Sequence, residues 1–406
     1  MAAATALLPG FAFPFVLSWF LGAGDADQML LAGSVALTLT SVVGNAVELN
    51  SVSELGGRLG QSVMPDRQAL RRYRARITAF VCGATLVVGS LLIAFYGAQR
   101  GSFGSFAPLA LTMLSVPLLG GIASARSGEL LARGYIVVPV LLQSCRTVVP
   151  IVLLVLNGPQ TPLALLAAGF AAGELVRLAV LTAMSRTRVG CGSSSADIPT
   201  NGLYWQSGSA LTSQTGPITD RFFLSTAPAG ALSSYEMADK LFFAAVQLIS
   251  LGFLTRRLTG WAQLPTMEPT LGRSLLRTDG LFLLIVSTVA GLLGSLTCAL
   301  TPHVVQLPVV WRQGFLWAQI LFLSIPFTLA TMCCSRLLII ARRQRLLIRF
   351  ALLTGVGNAL LDWIFFTLYG AVGIAIATVV LRVISAATYA IVLRRVLPPI
   401  IGSESQ

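Results

Sequence analysis

Residues 216–257 read GPITDRFFLSTAPAGALSSYEMADKLFFAAVQLISLGFLTRR. Two apolar runs flank a short polar turn, and the turn and its flanks carry Asp220, Arg221, Glu236, Asp239 and Lys240. Charge near bilayer depth is costly, so such groups face a protein interior or a wet cavity and mark a pathway. The plainer reading is that Glu236 and Lys240, at i and i+4, neutralise each other at a helix start. Lys240 is the only lysine; the other members of the 28 Lys and Arg residues are arginine.

The rest of the chain shares the character of this stretch. Hydrophobic residues make up 55% of it and charged residues 11%, with a mean hydropathy of +0.81. A soluble domain carries about 25% charged residues, so an all-α polytopic membrane protein is the class that fits. At roughly 20 residues per span plus loops, the 406 residues allow about 12 helices. Apolar runs fall near 5–21, 29–49, 77–97, 109–125, 134–156 and 162–184, then near 204–227, 237–255, 280–301, 314–334, 350–369 and 371–393. A Gly/Ser-rich stretch, RTRVGCGSSSADIPTNG, lies between the two sets of six. The expected organisation is an N-terminal lobe over 1–187, a cytoplasmic linker over 188–202 and a C-terminal lobe over 203–406, with both termini cytoplasmic.

Arginine placement supports that topology. With the termini inside, the inner loops and C-terminal flank hold most arginines, among them Arg58, Arg67, Arg71, Arg72, Arg74 and Arg76 in one polar loop. The outer loops hold only Arg100 and Arg312. This is the asymmetry of the positive-inside rule. The net charge of +13 is therefore mostly topogenic, helped by anionic membrane lipids, and needs no nucleic acid.

Further polar residues fall inside the apolar runs: Glu48, Arg146, Glu174, Arg177, Asp362 and Arg382. Glu174 and Arg177, at i and i+3, share a helix face and form either a self-satisfied pair or part of a cavity wall. Arg146 and Arg382 have no partner within a turn and must find one on another helix, in water or in an anionic ligand. Arginine suits phosphate because its planar fork makes two charge-assisted hydrogen bonds at once. A cavity lined by Lys240, Arg146, Arg177 and Arg382 would favour an anionic head group. Asp27, just past the first apolar run, reads either as a gate or cation ligand, or as a solvated loop carboxylate. Interior prolines (Pro117, Pro139, Pro150, Pro326) mark expected helix bends.

No enzyme site emerges. P-loop, HExxH and GxSxG patterns are absent, and the lone His303 and six scattered cysteines offer no metal-ligand spacing. No catalytic cofactor is expected, only coupling to H+, Na+ or the membrane potential.

Four stretches resemble the multidrug/oligosaccharidyl-lipid/polysaccharide exporter superfamily, and within it the MurJ (MviN) lipid II flippases. They are GFAFPFVLSWFLGAGDADQML, PLLGGIASARSGELLARGYIVVPVLLQSCRTVVP, TDRFFLSTAPAGALSSYEMADKLFF and GAVGIAIATVVLRVISA. The resemblance implies flipping of a polyprenyl-diphosphate-linked saccharide across a bacterial cytoplasmic membrane by alternating access of two lobes. Lys240 matches the family's cavity arginine in helix eight, and Asp27 its first-turn aspartate with a one-residue offset. Phe13 stands where that family has an arginine, Thr40–Ser41 replace another, and the family's thirteenth and fourteenth helices have no counterpart. These departures bear on lipid II as cargo rather than on flipping. On this reading Lys240, Arg146, Arg177 and Arg382 contact the diphosphate. Asp27, Asp220, Arg221, Glu236, Asp239, Glu48 and Glu174 gate or couple to ions. The expected partners are an anionic lipid-linked substrate, membrane lipids and cell-envelope biosynthesis enzymes. The rivals are a cation-coupled multidrug exporter, whose cavity would be acidic, and a non-transporting scaffold of a cell-wall complex.

Overall fold

A computed structural model describes residues 2–60, 66–100, 103–188, 198–200, 202–262, 269–340 and 344–402. All regular structure among them is helical. Eight described helices are long and apolar enough to cross a membrane, or nine if one pair bent by 52° counts as a single span. The remaining three of the twelve expected runs fall short by that measure. One has a short apolar stretch, Leu8–Phe20. The second is rich in Ser, Thr, Gln and Gly, and the third, 237–255, opens on Asp239 and Lys240 just after Glu236 and ends among residues whose side chains are not described. The chain divides into two compact units, Met1–Gln214 and Thr215–Gln406. Most of the expected linker, 189–197 and 201, lies outside the described residues.

The first unit opens with α1 (Ala2–Phe20) and α2 (Ala23–Leu39), continues through a wide π-helical turn (Thr40–Gly44), and runs into α3 (Asn45–Gly60). Next come α4 (Arg67–Arg100), α5 (Phe103–Met113), α6 (Ser115–Leu131) and α7 (Val137–Leu141). A 3-10 turn leads to α8 (Cys145–Asn157), α9 (Leu163–Arg188) and the first half of α10 (Gly202–Ser225). Much of the arginine-rich segment read as a loop is in fact helix. Asp66 accepts a hydrogen bond from the Ala69 backbone N–H at 2.6 Å, which caps α4 and starts it ten residues before the apolar run.

Helix α6 is the hub, packing on α3, α4, α5 and α9. Its buried face is built of small residues, Gly120, Gly121, Ala123, Ser124, Ser127 and Gly128, which let neighbouring backbones approach closely. A side chain at Gly120 would press on Thr40 and Glu174, and one at Gly128 on Ser51 and the Glu48 carbonyl. The break between α5 and α6 follows from Pro117. A proline offers no N–H to the carbonyl four residues earlier, and that residue is Met113, where α5 ends. By contrast, Pro150 sits within an unbroken α8.

The second unit contains the rest of α10, then α11 (Ala231–Ala262), α12 (Pro269–Val304), α13 (Val309–Phe322), α14 (Ile325–Ile340), α15 (Gln344–Tyr369) and α16 (Ala371–Gly402). Pro228 cannot extend α10, and Gly230, at φ 94°, adopts the left-handed conformation that turns the chain into α11. The α5–α6 device recurs here: α13 ends at Phe322, four residues before Pro326, and the pair α13–α14 bends by 52°. The first turns of α11, from Ala231 to Ala238, are buried on every side. Among the described cysteines, Cys82, Cys145, Cys298, Cys333 and Cys334 are free thiols.

Candidate functional site

Two buried polar clusters stand out, one in each unit. In the second unit the carboxylates of Asp220 on α10 and Asp362 on α15 are joined by an amide. Asn358 Nδ2 donates to Asp220 Oδ1 at 2.7 Å and to Asp362 Oδ2 at 2.6 Å. Tyr235 on α11 donates its hydroxyl to Asp220 Oδ2 at 2.7 Å and lies 3.2 Å from Thr378 Oγ1 on α16. Asp362 is 0% exposed, and among the described residues its Oδ1 has no hydrogen-bond partner. The network thus holds two carboxylates bridged by neutral groups, with an unpartnered oxygen at its heart. Burying uncompensated negative charge is costly, so such a nest favours a proton or a small cation.

Beside it, Arg221 Nε pairs with Glu236 Oε1 at 2.6 Å. Glu236 is therefore held by α10, rather than by Lys240 one turn along its own helix. Lys240 lies within electrostatic reach of Glu236 and Asp239. Arg382 Nη1 donates to Ser324 Oγ at 2.8 Å, and its guanidinium sits 3.9 Å over the Phe242 ring.

In the first unit the balance of charge is reversed. Arg177 Nη1 lies 3.2 Å from Glu174 Oε2 on the same face of α9, and Arg146 on α8 approaches Glu174 Oε1 at 3.9 Å. Arg146 thus finds its partner across a helix pair. Glu174 and Arg177 are almost fully buried, Arg146 remains 30% exposed, and among the described residues Arg177 Nε has no acceptor. Two guanidiniums therefore share one carboxylate, and the excess positive charge belongs to the more accessible partner.

Asp27 is buried in the first turns of α2, so it is not a solvated loop carboxylate. An acidic residue there is favoured by the positive end of the helix dipole. Glu48 is half-buried on α3. Lys240 and Arg382 belong to the second unit, Arg146 and Arg177 to the first.

Two buried carboxylates escaped the sequence reading. Glu129 on α6 accepts from Arg74 on α4 at 2.6 and 2.8 Å and from Arg126 at 3.2 Å. Asp279 on α12 accepts from Trp261 Nε1 at 2.9 Å and pairs with Arg257 at 3.2 Å. The partners of Asp362 were also missed. Asn358 stands four residues before it, a spacing that places both on one helix face.

No family profile and no curated protein matches the sequence. The fold does match solved structures, and those structures are transporters of the multidrug/oligosaccharidyl-lipid/polysaccharide exporter superfamily. One is a lipid II flippase, MurJ, in an inward closed conformation, with a TM-score of 0.74 at 14% identity over 97% of this chain and 86% of that one. A multidrug resistance MATE family transporter in an inward-facing conformation gives 0.69 at 14% identity, covering 98% and 96%. A mutant of the Vibrio cholerae MATE transporter VcmN gives 0.66 at 16% identity, again covering 98% and 96%. At these identities the likeness is one of fold, and it does not separate the flippase from the drug transporters.

Proposed function

We propose that this chain is an ion-coupled membrane exporter that flips a polyprenyl-diphosphate-linked saccharide across the bacterial cytoplasmic membrane by alternating access. The observation that carries the reading is the charge excess of Arg146 and Arg177 over Glu174, the one carboxylate paired with them among the described residues. A guanidinium already held near the right geometry offers a diphosphate paired hydrogen bonds at low ordering cost. Lys240 supplies a further positive group from α11. The nest of Asp220, Asn358 and Asp362 takes the coupling H+ or Na+. Asp27, Glu48, Arg221, Glu236 and Asp239 serve as gating charges around these sites. The architecture belonging to this reading is two six-helix lobes, 1–187 and 203–406, joined by a cytoplasmic linker at 188–202, with both termini inside.

A second reading, a cation-coupled drug exporter, draws on the acidic excess around Asp220 and Asp362 and on the MATE likeness. Proteoliposomes holding the purified chain separate the two. The assay follows a fluorescent polyprenyl-diphosphate disaccharide and, in parallel, a cationic dye under H+ and Na+ gradients. Flipping of the lipid is expected, falling about tenfold or more in Lys240→Gln and Arg146→Gln, the scale of one charge-assisted hydrogen bond. Dye efflux without lipid movement would establish the drug exporter. Movement of neither would favour a scaffold.

A further inference from the structure

The break between α13 and α14 is gripped from two sides. The Phe322 carbonyl has no N–H partner four residues on, because residue 326 is proline. Helix α12 closes one side through glycines: a side chain at Gly291 would lie 2.9 Å from the Phe322 carbonyl, and one at Gly294 would overlap the Phe322 ring. On the other side the contact is a polar pin. Ser324, fully buried, donates to the Leu321 carbonyl at 2.6 Å and accepts from Arg382 Nη1 at 2.8 Å. A cation beside the C-terminal end of α13 is also favoured by the helix dipole. The Arg382 guanidinium stacks on Phe242, 3.9 Å from the ring centre, with Phe243 at 5.9 Å. One arm of its fork and its face are thus both engaged by protein.

Arg382 sits four residues after Thr378, so both lie on one face of α16. Thr378 Oγ1 meets the Tyr235 hydroxyl, which bonds Asp220. The ionisable groups that act on Arg382 from the packed helices are Tyr235, Asp239 and Asp220. One helix face therefore touches the carboxylate nest at one turn and the broken span at the next.

We propose that Arg382 is a positioning residue that pins the α13–α14 bend and relays the state of the Asp220–Asp362 nest to it. The relay rests on the ion-coupling reading above; the pin does not. This moves Arg382 from the cargo contacts to the hinge. A cation drawn into the nest weakens the pull of Asp220 on Arg382, which frees the guanidinium to tighten or release its hold on Ser324.

The test uses the full chain in lipid nanodiscs, its six cysteines replaced by alanine, with nitroxides at the exposed positions Val309 and Arg336. A straight helix between these sites measures ~40 Å, and a 52° bend shortens that by ~4 Å, a shift pulsed electron resonance resolves. The parent is expected to show one narrow distance that moves when Na+ is added. In Arg382→Gln the distribution broadens and no longer responds, while Na+ binding measured by calorimetry persists. Arg382→Lys is expected to fall between the two, and Ser324→Ala to broaden the distance without loss of the buried charge. In transport, Arg382→Gln lowers turnover at unchanged KM for the cargo, whereas a cargo contact would raise KM. An unaltered distance and response in Arg382→Gln overturns the proposal, and loss of Na+ binding with the response overturns the relay. A parent that responds to neither Na+ nor pH sinks the ion-coupling reading instead, and the pin is then judged on the mean and width in Arg382→Gln against Arg382→Lys.

Discussion

The Arg146–Glu174–Arg177 cluster and the Asp220–Asn358–Asp362 nest are built from similar parts and reach opposite balances. In the first unit two guanidiniums lean on one carboxylate. In the second, two carboxylates lean on one amide. The first is held by α8 with α9 and the second by α10 with α15, joined by the Tyr235 hydroxyl of α11, and among the described residues each leaves one polar atom without a hydrogen-bond partner: Arg177 Nε and Asp362 Oδ1. On the function proposed above, the sign of the imbalance, rather than the presence of charge, is what assigns the anionic cargo to one and the coupling cation to the other.

The largest effect expected of this contrast is at Glu174. Glu174→Gln strands Arg177, 2% exposed, without its counter-charge, and should lower stability by about 3–5 kcal/mol. Unfolding of the purified chain in detergent would show it, and a variant as stable as the parent would mean that Arg177 is already compensated elsewhere. Asp362→Asn should behave in the opposite way. It relieves a carboxylate pair for which the described residues supply no ion pair, so without added cation stability should hold or rise by ~1 kcal/mol. The parent should gain stability as Na+ is added, rising with the logarithm of one plus the ratio of Na+ concentration to Kd, and the variant should not. A cation response that survives in Asp362→Asn would place the ion elsewhere. The smallest effect belongs to Arg257→Ala. Arg257 is 50% exposed and its partner Asp279, 2% exposed, keeps the Trp261 N–H at 2.9 Å, so losing the link should cost about 1 kcal/mol in the same unfolding assay.

The polytopic helical class was legible because apolar runs and arginine asymmetry are properties of composition along the chain. The breaks were partly legible too. Pro117 and Pro326 each end a helix four residues earlier, at Met113 and Phe322, where the missing N–H dictates it. Pro150 leaves α8 whole, so proline alone does not decide. What escaped was charge neutralised at a distance. Glu129 looks like the start of a loop after Ala125, yet α6 continues to Leu131. Its counter-charge, Arg74, stands 55 positions upstream. Arg146 and Arg382 likewise carry no local hint of Glu174, Ser324 or Phe242. Spacing within one helix showed that Glu174 and Arg177 share a face, but only packing shows that Glu236 chooses Arg221 over Lys240.

The wide turn at Thr40–Gly44 has a consequence of its own. Such a turn amounts to one surplus residue absorbed into a helix without rotating either flank. Removing a single residue there should restore ordinary winding, with Leu39 before it and Val47 after it still buried. Elsewhere in α2 or α3 the same deletion would swing the following turns by about 100° and bring the wrong face inward. This short segment is the spot where that long rod tolerates a change of length.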